Sequence, residues 1–183
     1  MRTIVLVCFF TISLVRAQDE RSQMTFSGGE AVDVGRFGTS LALSFGGSYS
    51  YRLFPHLGLE AGVLTALDPT GIIRGENFTI DVKDRFTWVQ FGPRFILPLW
   101  DGRLELSVGA GGVYENYSPG SNFPSGNAPT RTGWGGNFSG GAAIALDPGR
   151  HFWLGMTPRW ILVKAAEAHD RWFIAAGELS FRF

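Results

Sequence analysis

Cysteine is all but missing from this chain: of 183 residues only Cys8 is one, and it sits inside the first apolar run. A disulfide framework, a thiol nucleophile and cysteine-ligated zinc are therefore excluded from everything beyond that run. Charge is scarce as well. Only 17% of residues are Asp, Glu, Lys or Arg, and lysine occurs just as Lys83 and Lys164, whereas a water-facing surface uses roughly 25–35%. With 16 basic side chains against 16 acidic ones, no basic footprint marks a nucleic-acid partner. From Gln18 onward no stretch is apolar for long enough to make a transmembrane helix, which needs about 20 residues.

What is abundant is glycine, at 25 residues, together with 16 Phe and 6 Trp. Met1-Arg2 is a short positive start, Ile4 to Val15 is apolar, and Val15-Arg16-Ala17 puts branched and small residues before Gln18. This is the pattern of a secretory signal peptide over residues 1–17, the run being too short to span a bilayer and stay as an anchor. Residues 18–183 are then one domain. Arg2 and Arg16 leave with the leader, so the exported domain carries a formal charge of −2.

The dominant period in that domain is two. Leu41, Leu43, Phe45, Gly47, Tyr49, Tyr51 and Leu53 share one face, and Ala42, Ser44, Gly46, Ser48, Ser50 and Arg52 the other. The same alternation recurs from Leu57, Val89, Leu104, Trp134, Phe152 and Phe173, and a weaker first segment spans Met24 to Ala31. Eight strands are predicted. Their connections alternate in length. Phe54 to His56, Trp100 to Arg103 and Asp147 to Arg150 are short, with Pro and Asp-Gly turn chemistry. Asp68 to Asp84 and Asn116 to Thr132 are long, while Val32 to Gly38 and Ala165 to Asp170 are intermediate.

Short turns at one end and longer loops at the other are the arrangement of a transmembrane β-barrel, in which the loops are extracellular. A soluble ligand-binding barrel also alternates, with its apolar face inside. The polar face here is mostly Gly, Ser and Ala with a few Arg and Glu, which suits the crowded interior of eight strands better than it suits water. Aromatic residues gather near strand ends. Tyr51, Phe54, Phe95, Trp100, Phe152, Phe181 and Phe183 lie toward the short turns, and Trp88, Tyr114, Trp134 and Trp172 toward the long loops, as two lipid-boundary girdles would.

Leu57-Gly58-Leu59-Glu60, Phe91-Gly92-Pro93-Arg94-Phe95 and Leu179-Ser180-Phe181-Arg182-Phe183 carry a family resemblance. In these segments the chain resembles the small outer-membrane β-barrel proteins, similar to the transmembrane domain of outer membrane protein A. That resemblance implies an eight-stranded antiparallel up-and-down transmembrane β-barrel in the outer membrane of a Gram-negative cell. It implies that Leu179, Phe181 and Phe183 form the signal read by the barrel-assembly machinery, although Gly177 is displaced by about one position from the common form. No peptidoglycan-binding domain is expected. The implied partners are outer-membrane lipid and lipopolysaccharide, the assembly machinery and a surface ligand met by the loops, with the protein a monomer and no cofactor.

Under this register Arg52, Glu60, Arg94, Glu105, Arg159, Glu178 and Arg182 project into the barrel. Buried charge is tolerated when paired, so they are expected to form an ionic network that plugs the lumen, with Glu60 and Arg94 in salt-bridge reach. A charge-lined narrow pore is the rival. A lipid A-modifying enzyme needs a histidine, a serine and an acid together. His56 and His151 fall at short turns, His169 in an extracellular loop beside Asp170 and Glu167, and Ser180 near the opposite end of its strand, so no such group is expected. Three separated histidines give no metal cluster. Pro93 and Pro158 interrupt strands of a closed barrel, and a bulge is expected at each.

Overall fold

The computed structural model describes residues 21–34, 41–74, 79–119, 130–165 and 168–183. The leader expected over 1–17 lies outside them. Eight strands follow one another: β1 (Ser22–Asp33), β2 (Leu41–Phe54), β3 (Leu57–Arg74), β4 (Thr79–Leu99), β5 (Leu104–Ser118), β6 (Arg131–Ala145), β7 (Phe152–Ala165) and β8 (Ala168–Arg182). Each pairs antiparallel with the next, and β8 returns to pair with β1, so the sheet is an up-and-down closed barrel. At the seam the Ser22 N–H donates to the Phe183 carbonyl at 3.1 Å and the Phe183 N–H donates to the Ser22 carbonyl at 2.9 Å.

The period of two becomes an inside and an outside. On β8, Ile174, Ala176, Glu178, Ser180 and Arg182 are buried while Leu179 and Phe181 are exposed; on β2, Ala42 and Ser44 are buried while Leu43 and Phe45 are exposed. Crowding on the inner surface explains much of the glycine. A Cβ on Gly92 would lie 2.3 Å from the Ala110 carbonyl oxygen, and one on Gly111 would lie 2.1 Å from that of Phe91. No larger residue fits there without moving the wall.

Several boundaries differ from the sequence reading. The weak first segment is a full strand that extends beyond Met24 and Ala31 at both ends, and Gly29, which dilutes its pattern, marks another close approach, to the Ala175 carbonyl. The long connection expected over Asp68 to Asp84 is mostly strand: β3 and β4 stay paired from Asp68 opposite Asp84 to Arg74 opposite Thr79. The turn chemistry of Asp68-Pro69-Thr70-Gly71 is absorbed there by a register shift between Asp68 and Gly71. Within the expected connection Ala165 to Asp170, β7 and β8 likewise stay paired, with Ala165 opposite Ala168 and Lys164 opposite His169.

Neither proline makes a bulge. Pairing of β4 with β5 steps from Phe91 opposite Gly112 to Arg94 opposite Gly109, and that of β6 with β7 from Ser139 opposite Arg159 to Ala142 opposite Met156, with the register unchanged. A strand residue directs its N–H toward one neighbour only. Pro93 therefore stays in register with Leu59, and Pro158 with Ala175, on the other side. Sheet pairing lapses locally where the missing donor would have pointed.

The short turns are tight. Trp100, Asp101 and Gly102 have φ of 49°, 53° and 77°, the left-handed geometry that a narrow hairpin end requires. At the β6–β7 turn the Asp147 carboxylate accepts the Phe152 N–H at 2.8 Å.

Candidate functional site in the barrel lumen

Inward side chains stack in three layers. At the short-turn end Glu105 on β5 accepts from Arg182 on β8, at 2.7 and 3.2 Å, and from Arg52 on β2 at 2.8 Å. Arg182 also donates to the Gln23 amide oxygen at 3.0 Å and lies 4.3 Å over the ring of buried Trp153. One carboxylate thus ties together three strands that are not neighbours.

The middle layer is organised by Glu60 on β3. It accepts from Arg94 on β4 at 3.1 Å and from Arg159 on β7 at 3.4 Å, and Arg159 lies 3.8 Å from Glu178 on β8. Arg94 donates in addition to the Ser107 hydroxyl at 3.0 Å. All seven inward charges read from the sequence therefore lie in these two layers, but as two separate groups: Glu105 pairs with Arg52 and Arg182, whereas Glu60 and Glu178 face Arg94 and Arg159.

The third layer closes the long-loop end, and sequence reasoning missed it. The Trp88 indole donates to Glu115 at 2.8 Å, the Tyr117 hydroxyl donates to Asp84 at 2.9 Å, and Arg131 is paired with Asp170. Phe86, Trp88 and Trp172 pack together with centroids 4.6 to 5.9 Å apart and are almost fully buried. Trp88 and Trp172 are thus lumen residues and not members of the outer girdle. Parity decides this: Val89 and Phe173 point outward, so their predecessors point in. Extending the alternation from Glu105 up its strand reaches Glu115, and from Glu178 up its strand reaches Asp170.

Among the described residues, no three His, Cys, Asp or Glu groups converge as metal ligands. Ser180 hydrogen-bonds Thr25 at 2.8 Å inside the wall, and His151 lies 3.3 Å from Asp147 at a turn. His169 stands on β8 with its side chain outward. Among the described residues no histidine and serine are brought together.

Neither a protein-family profile nor a curated protein sequence matches the chain. Solved structures do. Neisserial surface protein A superposes with a TM-score of 0.70 over 88% of this chain and 97% of that one, at 12% identity. The N-terminal β-barrel domain of Pseudomonas aeruginosa OprF gives 0.57 over 88% and 97%, also at 12% identity. Ail, the attachment invasion locus protein of Yersinia pestis, solved in complex with the heparin analogue sucrose octasulfate, gives 0.56 over 88% and 98%, at 14% identity. This chain has the fold of the small eight-stranded outer-membrane β-barrels.

The exterior of this outer-membrane barrel fold is apolar where a soluble barrel is polar. Phe26, Val108, Phe138 and Met156 are each about 60% exposed, and they belong to a continuous outward band that includes Leu43, Phe91, Leu154 and Leu179. A soluble monomer rarely exposes so much contiguous apolar surface. Aromatic pairs bound the band. Phe152 and Phe181 meet at 5.2 Å toward the short turns, while Tyr114 with Trp134 and Trp160 with Phe173 each meet at 4.9 Å toward the long loops.

Proposed function

We propose that this chain is a non-enzymatic integral outer-membrane protein, anchored by its outward band, whose lumen is plugged and whose loop end meets the cell exterior. The observation that carries this reading is the inversion of polarity: ion pairs fill the inside and large apolar side chains cover the outside. The short turns then face the periplasm. Residues 1–17 act as the export signal, and Leu179, Phe181 and Phe183 present the aromatic alternation read by the barrel-assembly machinery. Its partners are outer-membrane lipid and lipopolysaccharide, with a structural or surface-interaction role as a monomer.

Plugging is supported by how little space the ionic layers leave. A cavity of about 20 Å³ lies among Glu60, Arg94 and Arg159, and one of about 10 Å³ among Arg52, Arg94 and Arg182. A water needs roughly 10–15 Å³, so each void holds one water or none. A wider vestibule of about 330 Å³ opens at the short-turn end and stops at Glu105 and Arg182.

Three measurements test the reading. Recovery in the outer membrane after carbonate washing is expected, and a soluble periplasmic pool would overturn the anchoring. In planar bilayers the purified protein is expected to give no steady conductance, and a stable open level would replace the plug with a narrow pore. Lipid A mass spectra are expected to be the same with and without expression.

A further inference from the structure

Two cationic side chains and a histidine converge on the outer wall at the long-loop end. Lys164 on β7 stands directly opposite His169 on β8, and Arg171 follows two residues along the same outward face, opposite Leu162. Directly opposed residues have Cβ atoms about 4.5–5.5 Å apart, and same-face neighbours lie roughly 7 Å apart. All three side chains are exposed, and none makes an ion pair with a described residue. The acid between two of them, Asp170, points into the lumen, where it is held by Arg131. The outward acid of β1, Glu30, is opposite Ala175, four residues from Arg171 and so about 13 Å along the strand. Clustered basic groups on adjacent strands disfavour one another unless an anion joins them.

The cations do not stand on a flat rim. They edge a cleft of about 540 Å³ whose other walls include Trp134, Trp160 and Leu162. Trp134 lies opposite Lys164, and Trp160 lies opposite Phe173, two pleats below. The cleft is therefore amphipathic along the barrel axis, basic toward the loops and aromatic toward the apolar band. Trp at that level marks the boundary between headgroups and acyl chains.

We propose that this cleft binds a phosphorylated lipid of the outer leaflet. The phosphate sits among Lys164, His169 and Arg171, and the first part of an acyl chain lies along Trp160 and Leu162. Arg171 supplies a planar fork suited to phosphate oxygens, and Lys164 supplies a point charge. A free phosphate ion would use the cations alone; a lipid would use the whole cleft. The inference rests on the membrane-anchored reading above and deepens it, giving the lipid partner named there a position on the wall and the residues that hold it.

The test uses the full chain folded in detergent micelles and native mass spectrometry, with lipid A as the probe. Wild type is expected to hold one lipid A, and Lys164→Gln/His169→Gln/Arg171→Gln is expected to bind it about tenfold more weakly or worse. Arg85→Gln, which removes an exposed cation on another part of the wall, is expected to leave binding unchanged. Dephosphorylated lipid A should bind as poorly to wild type as lipid A does to the triple variant. Trp160→Ala should weaken lipid A binding while leaving any uptake of inorganic phosphate unaltered. Arg171→Lys keeps the charge and should lose less than Arg171→Gln, which separates recognition from misfolding; heat-modified gel mobility reports folding for each. Equal binding by wild type and the triple variant would overturn the site, as would inorganic phosphate competing at equal concentration. Those failures leave membrane insertion intact, whereas failure of the anchoring reading would show first as a wild-type chain absent from the membrane.

Discussion

Arg182, on the last strand, reaches across the lumen and donates two hydrogen bonds to Glu105, on the fifth, at 2.7 and 3.2 Å. Both side chains are about nine-tenths buried, and Arg52 completes the carboxylate's contacts. Removing one member of such a group strands an uncompensated charge, which typically costs about 3–5 kcal/mol. Glu105→Ala strands two arginines and is expected to fall in that range, measured by urea unfolding in phospholipid vesicles. Arg182→Met leaves Glu105 with Arg52 and is expected to cost less.

The middle layer offers a stricter comparison. Glu60 accepts from Arg94 and from Arg159, so Arg94→Met leaves it one cation, whereas Glu60→Ala leaves both arginines to share the more distant Glu178. Glu60→Ala is expected to be the more destabilising. Glu60→Gln combined with Arg94→Met should recover part of the loss caused by Arg94→Met alone. A double-mutant cycle reads the coupling, and a value near zero would remove the pair from the network.

Val108 and Ser107 are neighbours on β5 with opposite fates, one 60% exposed and the other buried. Val108→Arg places a cation against lipid and is expected to cost about 2–4 kcal/mol if it lies at the bilayer midplane. Its penalty should grow with bilayer thickness. Ser107→Arg instead crowds Arg94, so its penalty should not track thickness.

Phe183 joins the seam through its backbone, and its ring stacks on Phe181 with centroids 5.7 Å apart. If the outward series Leu179, Phe181, Phe183 is read during assembly, Phe183→Ser lowers the amount of inserted barrel while export continues. Comparing urea-extractable and membrane-integrated pools of the variant checks this, and normal insertion would assign the residue to the seam alone.

The Asp147 carboxyl is held below its ordinary range, chiefly by the Phe152 N–H and then by contacts with His151. A carboxylate with a lowered folded pKa contributes stability that is fully present above the unfolded value of about 3.9 and lost as pH falls through the folded one. Thermal unfolding of wild type is therefore expected to lose this contribution in the acid range, and Asp147→Asn to remove that part of the pH dependence. The group lies on a solvent-facing turn, so the effect is small.

Alternation, joined to the connection lengths and to the make-up of the polar face that told inside from outside, carried the fold, because a barrel wall has only two sides and residues such as Leu43 and Ser44 cannot exchange them without a register slip. It carried the seven lumen charges for the same reason. It failed where local chemistry looked like a stop. Asp68-Pro69 and Gly71 read as a loop, so the strand above them went unnoticed. Trp88 and Trp172 were assigned by aromatic character near strand ends, against the parity of Val89 and Phe173. The Glu60–Arg94 pair was within reach because β3 and β4 are adjacent, but the Arg182–Glu105 pair was not, since the two are 77 residues apart and only closure of the sheet brings them together.

The order of the layers gives the lumen an electrical direction. Two arginines face one glutamate at the short-turn end, while Asp33, Asp84, Glu115 and Asp170 outnumber Arg131 at the long-loop end among the described residues. By formal charge the barrel axis runs from negative at the long-loop end to positive at the short-turn end, so with the loops outward it is negative outside. Were a substitution to breach the plug, cations from outside would be drawn into the mouth and then checked by Arg52 and Arg182, while anions would be repelled at entry. Such a leak would rectify, and its polarity would report which way round the barrel sits in the membrane.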